Sequence, residues 1–176
     1  MQEEFPFYSV PNVSFSLEYD TLRVSGYGSD GFETLLLSST IMQLYSGFLL
    51  KTTDNKLLLQ QRDNKPDIAN PGMIAIFGGT AEVNEIPTDC AKREAAEEVG
   101  LSVSKKNLKS LGIYQTTVPN VGEVESHVFL IENVNQNDLH LNEGESIFVL
   151  DPNQDITTLN LTPVCRQVLT KYLGRS

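Results

Sequence analysis

The chain has little that could support redox, disulfide or histidine chemistry. Its 176 residues include two cysteines, Cys90 and Cys165, and two histidines, His127 and His140. The cysteines follow no metal-ligand or redox spacing, and one pair is too few for a disulfide framework. Cys90 is expected to pack as a small buried hydrophobe. His127 alternates with apolar neighbours and reads as a strand residue rather than a catalyst. Long hydrophobic runs are also missing. The stretch Ile41 to Leu50 is broken by Gln43 and Ser46 and is too short to cross a bilayer. Met1 to Tyr8 is acidic and lacks the basic start and apolar run of a signal peptide, so a cytoplasmic location is the expectation. Positive charge is scarce: Lys and Arg number 13 against 23 Asp and Glu, a net charge of −10. That balance disfavours a nucleic-acid backbone or an anionic membrane as partner. It leaves a small phosphorylated ligand open, because bound cations reverse the local field.

What is present suffices for a normal core. Hydrophobic content of 40% and charged content of 20% are ordinary for a globular chain of this length. Residues 1–40 stand apart as an N-terminal extension expected to pack on the core, with a homodimer interface as one place for it. Within it, Val13 to Leu17 and Leu22 to Val24 read as short strands around Glu18-Tyr19-Asp20. Tyr27 to Gly31 reads as a loop, and Phe32 to Leu37 fits either a helical turn or a strand. From residue 41 to 176 the pattern is that of one domain. Leu44 to Thr52 and Lys56 to Gln61 form a hairpin across Thr53-Asp54-Asn55. Asn64 to Gly72 is an irregular loop, and Met73 to Phe77 is a short strand feeding Gly78-Gly79. Pro87 to Val99 is a helix with proline in its first turn, ended by Gly100. Leu111 to Val118 and Val124 to Ile131 pair as strands, Ser146 to Leu150 adds another, and Thr162 to Leu173 is an amphipathic helix. Strands and helices in this order predict an α/β fold with a mixed sheet between helices.

The helix Pro87 to Val99 carries Glu94, Glu97 and Glu98 at i, i+3 and i+4. Like charges at these spacings repel, and the negative end of the helix dipole disfavours anions in the last turns. A solvated acidic face is the bland explanation. The alternative is a divalent-cation site, whose hard oxygen donors suit Mg²⁺, with Mn²⁺ as the other candidate.

Wider spacing favours the second explanation. Gly79 is followed after five residues by Glu85, and after seven more by Arg93-Glu94-Ala95-Ala96-Glu97-Glu98-Val99-Gly100-Leu101. This run resembles the Nudix box of the Nudix hydrolases, with Ala95 where a larger aliphatic residue is usual. Its seven fixed identities would arise by chance roughly once in a million such chains. The resemblance covers about Leu44 to Leu173 and implies a Nudix-type α/β/α sandwich with a mixed central β-sheet. It also implies Glu94, Glu97 and Glu98 as metal ligands, with Glu82 and Glu85 as further contributors. Arg93 would orient the acidic cluster; for Arg93 and Glu85 a purely structural ion pair is the competing explanation. Gly78 and Gly79 would let the backbone approach metal or phosphate, with Phe77 where relatives often carry proline.

A catalytic base has to reach the attacking water. Glu143, in Leu141-Asn142-Glu143-Gly144-Glu145, resembles the family's downstream glutamate and joins Arg93, Glu97 and Glu98 as a candidate catalytic residue. Glu123, Glu125 and Glu145 are the runners-up. Arg62 either meets a substrate phosphate or ties down the Asn64 to Gly72 loop through Asp63 or Asp67. Tyr45, Phe48 and Tyr114 either stack on a base or belong to the core. The spacings that mark branches for ADP-ribose or dinucleoside polyphosphates do not match, since Pro119 and Tyr114 are both offset. The resemblance therefore implies hydrolysis of a pyrophosphate bond in a nucleoside diphosphate linked to another moiety. Nucleoside triphosphates, oxidised ones included, and nucleotide sugars are the leading classes. A weakly catalytic nucleotide-binding module is the alternative, and a nucleic-acid processing role is disfavoured by the acidic charge.

Overall fold

The computed structural model describes residues 42–118 and 121–175 in full, and the backbone of 13–18, 21–28 and 31–37. The chain divides into two compact units, Met1–Ile41 and Met42–Ser176. In the first, β1 (Val13–Glu18), β2 (Thr21–Gly28) and β3 (Gly31–Leu37) form an antiparallel meander. The segment that fitted either a helical turn or a strand is a strand, paired from Leu22↔Leu37 to Gly28↔Gly31. Tyr27, Gly28 and Gly31, read as loop from composition, are strand residues. Tyr19, Asp20, Ser29 and Asp30, the segment Met1 to Tyr8, and Pro119 and Asn120 lie outside the described residues.

The second unit is built on a seven-stranded sheet of order β10-β5-β4-β9-β8. These are β4 (Gln43–Thr52), β5 (Leu57–Gln61), β8 (Lys109–Val118), β9 (Gly122–Val134) and β10 (Ser146–Leu150). The sheet is mixed: β4 runs parallel to β9, and the other pairs are antiparallel. Apolar runs such as Phe48-Leu49-Leu50 and Leu57-Leu58-Leu59 are buried on both faces because each face is covered by a helix. On one side Phe48, Leu50, Leu58, Phe129 and Ile131 pack on Ala91, Ala95 and Val99 of α1 (Pro87–Val99). On the other, Leu49, Leu57, Leu59, Val128 and Leu130 pack on Cys165, Val168 and Leu169 of α2 (Pro163–Tyr172). Period-two alternation thus feeds two cores, and the result is the expected α/β/α sandwich.

The strand expected over Met73 to Phe77 is instead two. β6 (Ile74–Ala75) pairs with β5, while β7 (Phe77–Thr80) crosses over to pair with β4. The cause is local divergence: β4 and β5 pair only at Leu50↔Leu58 and Lys51↔Leu57, and the segment fills the gap that opens beyond. Gly78 and Gly79 therefore lie inside a strand rather than in a turn. Two 3₁₀ turns, Lys105–Asn107 and Gln136–Asp138, have no counterpart in the sequence reading.

Candidate active site

Helix α1 has the bounds expected for it, and its end explains how three glutamates are tolerated there. Gly100 adopts φ 67°, and its N–H and that of Leu101 donate back to Ala96 O and Ala95 O. The remaining carbonyls of the last turn are taken by a distant loop. His140 N donates to Val99 O (3.0 Å), Asn142 N to Glu98 O (2.8 Å) and Asn142 Nδ2 to Glu97 O (2.8 Å). The orphan acceptors that make a helix C-terminus negative are thus satisfied.

The three carboxylates share a face but differ in depth. Glu98 is 4% exposed, Glu94 half-buried and Glu97 exposed. Glu98 Oε2 accepts from Gly78 N (2.7 Å), and Oε1 accepts from Gln60 Nε2 (3.1 Å). Among the described residues no cationic side chain pairs with it. Burial pushes its pKa up to about 8 against the pull of the Gly78 amide, and the nearby charges of Glu94 and Glu143 add to the rise. Burial likewise raises Glu94.

Glycine is required at Gly78, and at Gly79 it leaves room for the Glu94 carboxylate. Gly78 has φ +132°, and a Cβ there would run into the Ser46 carbonyl; a Cβ on Gly79 would run into the Glu94 carboxylate. Tyr45 donates its hydroxyl to Gly78 O (2.5 Å), and Ser46 donates to Pro87 O (2.6 Å), which fixes β7 and the helix start to β4. The Tyr45 hydroxyl is thereby committed to the backbone. Phe48 and Tyr114 belong to the cores, as the core alternative had it.

Arg93 gathers the box. Its Nε and Nη2 donate to the two oxygens of Glu85 (3.0 and 2.9 Å), its Nη1 to Glu94 (2.6 Å) and Glu97 (2.9 Å), and its Nη2 also to Thr80 O (3.1 Å). The paired guanidinium holds Glu85 down at about 2. Glu85 Oε2 also accepts from Glu82 N (2.9 Å), whereas the Glu82 carboxylate is largely exposed and 4.0 Å from Arg93 Nε. Among the described residues, no three acidic, histidine or cysteine side chains converge as a closed ligand set. The donors nevertheless fit a hard divalent cation: Glu98 is a buried carboxylate facing two further carboxylates, and all donors are oxygens.

Glu98 opens onto a cleft of about 550 Å³ lined by Gln60, Arg62, Gly78, Asn142 and Glu143 among others. Glu143 is therefore brought to the acidic face. Glu123 and Glu125 are not: on β9 they bond Thr117 and His127. Arg62 Nε donates to Ala69 O (2.9 Å), so it anchors its loop through a carbonyl and not through Asp63 or Asp67. Its side chain lines this cleft and also a second cavity of about 190 Å³ bordered by Tyr45, Asn70, Thr80, Ser126 and Thr162. Sequence reasoning missed Gln60 and Asn142. The one available signal was an amide where the α1-facing alternation of β5 calls for an apolar residue.

The NUDIX domain model matches residues 44–168. Among solved structures, a MutT NUDIX hydrolase from Burkholderia pseudomallei aligns at TM-score 0.60 and 19% identity, over 73% of this chain and 96% of that one. A MutT protein from Methanosarcina mazei Go1 gives 0.64 and 18%, over 77% and 96%. A bifunctional NMN adenylyltransferase/ADP ribose pyrophosphatase from Francisella tularensis, complexed with AMP and a Mn ion, gives 0.56 and 19%, over 78% of this chain and 43% of that one. The chain belongs to the NUDIX domain family, and its class of chemistry is hydrolysis of a pyrophosphate bond. Divalent metals are general in that family.

Proposed function

We propose that the chain is a Mg²⁺-dependent pyrophosphohydrolase acting on a nucleoside diphosphate linked to another group. Nucleoside triphosphates, oxidised ones included, and nucleotide sugars are the substrate classes we favour. The observation that carries this reading is Glu98: a buried carboxylate, without a cationic partner among the described residues, facing Glu94 and Glu143 at the mouth of a cleft. Burial favours the protonated form of this carboxyl, and a bound cation would restore the ionised form. Glu94, Glu97 and Glu98 would hold the cations, with Mn²⁺ as an alternative to Mg²⁺. When bound, such ions neutralise phosphate charge and activate water.

The chain's own residues supply the rest. Glu143 accepts the proton of the attacking water. Arg62, placed between the two cavities, holds a phosphate oxygen while the smaller cavity takes the nucleoside side. Gly78 and Gly79 keep the β7 backbone close to the acidic face. Arg93, locked to Glu85, holds Glu94 and Glu97 in place, which makes Glu85 a support and leaves Glu82 as an outer contributor. The pyrophosphatase named for the Francisella tularensis relative, complexed with AMP and a Mn ion, is consistent with this class. The test is a panel of nucleoside triphosphates, nucleotide sugars, ADP-ribose and dinucleoside polyphosphates with Mg²⁺, read by product identity. Cleavage between phosphorus atoms is expected, and a chain that binds a nucleotide but releases no phosphorylated product would overturn the proposal.

A further inference from the structure

Gln60 continues the apolar run Leu57-Leu58-Leu59, and the period of the strand puts it on the α1 side with Leu58. An apolar side chain there would extend the core. The position instead holds an amide that is 4% exposed, which is costly unless its donors are used. They are used twice: Nε2 donates to Glu98 Oε1 (3.1 Å) and to the backbone oxygen of Glu143 (3.4 Å).

One buried amide therefore spans the acidic face of α1 and the loop that carries Glu143. The loop is shaped to meet it. Gly144 has φ +87°, and a Cβ there would lie 2.9 Å from Gln60 Cγ, so only glycine lets the backbone pass this close. Either side of that point, Glu145 N donates to Gln61 O (2.9 Å) and Asn142 N to Glu98 O (2.8 Å). Both acceptors of Gln60 are oxygens, which explains why neither leucine nor glutamate would serve. Leucine offers no donor, and glutamate adds a fourth carboxylate to Glu94, Glu98 and Glu143.

We propose that Gln60 is a positioning residue for hydrolysis, its amide fixing the Glu143 loop against Glu98 so that base and acidic face keep one geometry. This rests on the assignment of Glu143 as base. The experiment is a double-mutant cycle of Gln60→Met with Glu143→Gln, using the substrate identified by the panel, plus hydrogen exchange on the metal-free protein. Gln60→Met keeps length and removes the donor; Gln60→Asn keeps the amide but withdraws it, and provides the same comparison if the first variant does not fold. The expected result is a fall in kcat of about 10- to 100-fold with KM within about threefold, and no more than about twofold further loss in the Glu143→Gln background. Exchange at the Asn142 and Glu145 amides should quicken while the β4–β9 ladder is unchanged. Equal losses in both backgrounds, or wild-type kcat in Gln60→Met, would overturn the inference and leave the base assignment standing. Wild-type kcat in Glu143→Gln would remove the base assignment and this inference together.

Discussion

Arg93 shows how much one side chain can organise. It meets Glu85 in a two-pronged pair, touches Glu94 and Glu97, and reaches Thr80 O on β7. Removing the cation from this partly exposed ionic cluster leaves its carboxylates without a counter-charge, so Arg93→Met should destabilise by about 1–2 kcal/mol. Urea unfolding measures this. Because Glu85 acts through the same contact, Glu85→Gln combined with Arg93→Met should cost much less than the sum of the two. Additive losses would mean that the pair does not act as a unit. The glutamates and the arginine stood out in the sequence through the wider spacing that resembles the Nudix box, since an acidic helix face alone reads as solvated surface. Gln60 showed only as an amide in an apolar run, and its partners, the Glu98 carboxylate and the Glu143 carbonyl, were hidden. Asn142 and the anchor of Arg62 were not legible, since each is defined by backbone carbonyls. No sequence pattern encodes that kind of partner.

The same division recurs for the elements. Helix α1 was readable at both ends, because Pro87 suits a first turn and Gly100 a left-handed stop. Gly100→Ala should accordingly cost about 1 kcal/mol, since alanine is strained at φ 67°; its nearest contact, the His140 side chain at 3.4 Å, leaves room for a methyl group. Thermal melts test this, and an unchanged or raised Tm would contradict the capping geometry. By contrast, the jump from β6 to β7 was invisible. Whether Met73 to Phe77 pairs with one strand or two depends on how far β4 and β5 diverge, a tertiary fact. The α/β/α class survived this error because burial on both faces of Phe48-Leu49-Leu50 and Leu57-Leu58-Leu59 requires two covering helices.

At the scale of the molecule, composition and geometry act together. A net charge of −10 gives long-range repulsion from nucleic acid, so no electrophoretic shift with short RNA at physiological salt is expected. A clear shift would reopen the processing role. On the proposed function the acidic face is the exception to plain repulsion, because bound cations would make it a binding surface. Mg²⁺ should therefore raise the Tm of the whole chain, by an amount that grows with the logarithm of its concentration. In Glu98→Gln that gain should largely disappear.

The central claim is that Glu98 and its neighbours hold the cations that hydrolysis requires. Its most direct test follows phosphorylated product release by ³¹P NMR, with saturating Mg²⁺, for wild type and Glu98→Gln matched for folded fraction. We expect pyrophosphate-bond cleavage by the wild type and a loss of at least about 10²- to 10³-fold in the variant, the scale of removing one electrostatic anchor from a transition state. Wild-type turnover by a folded Glu98→Gln would contradict the account.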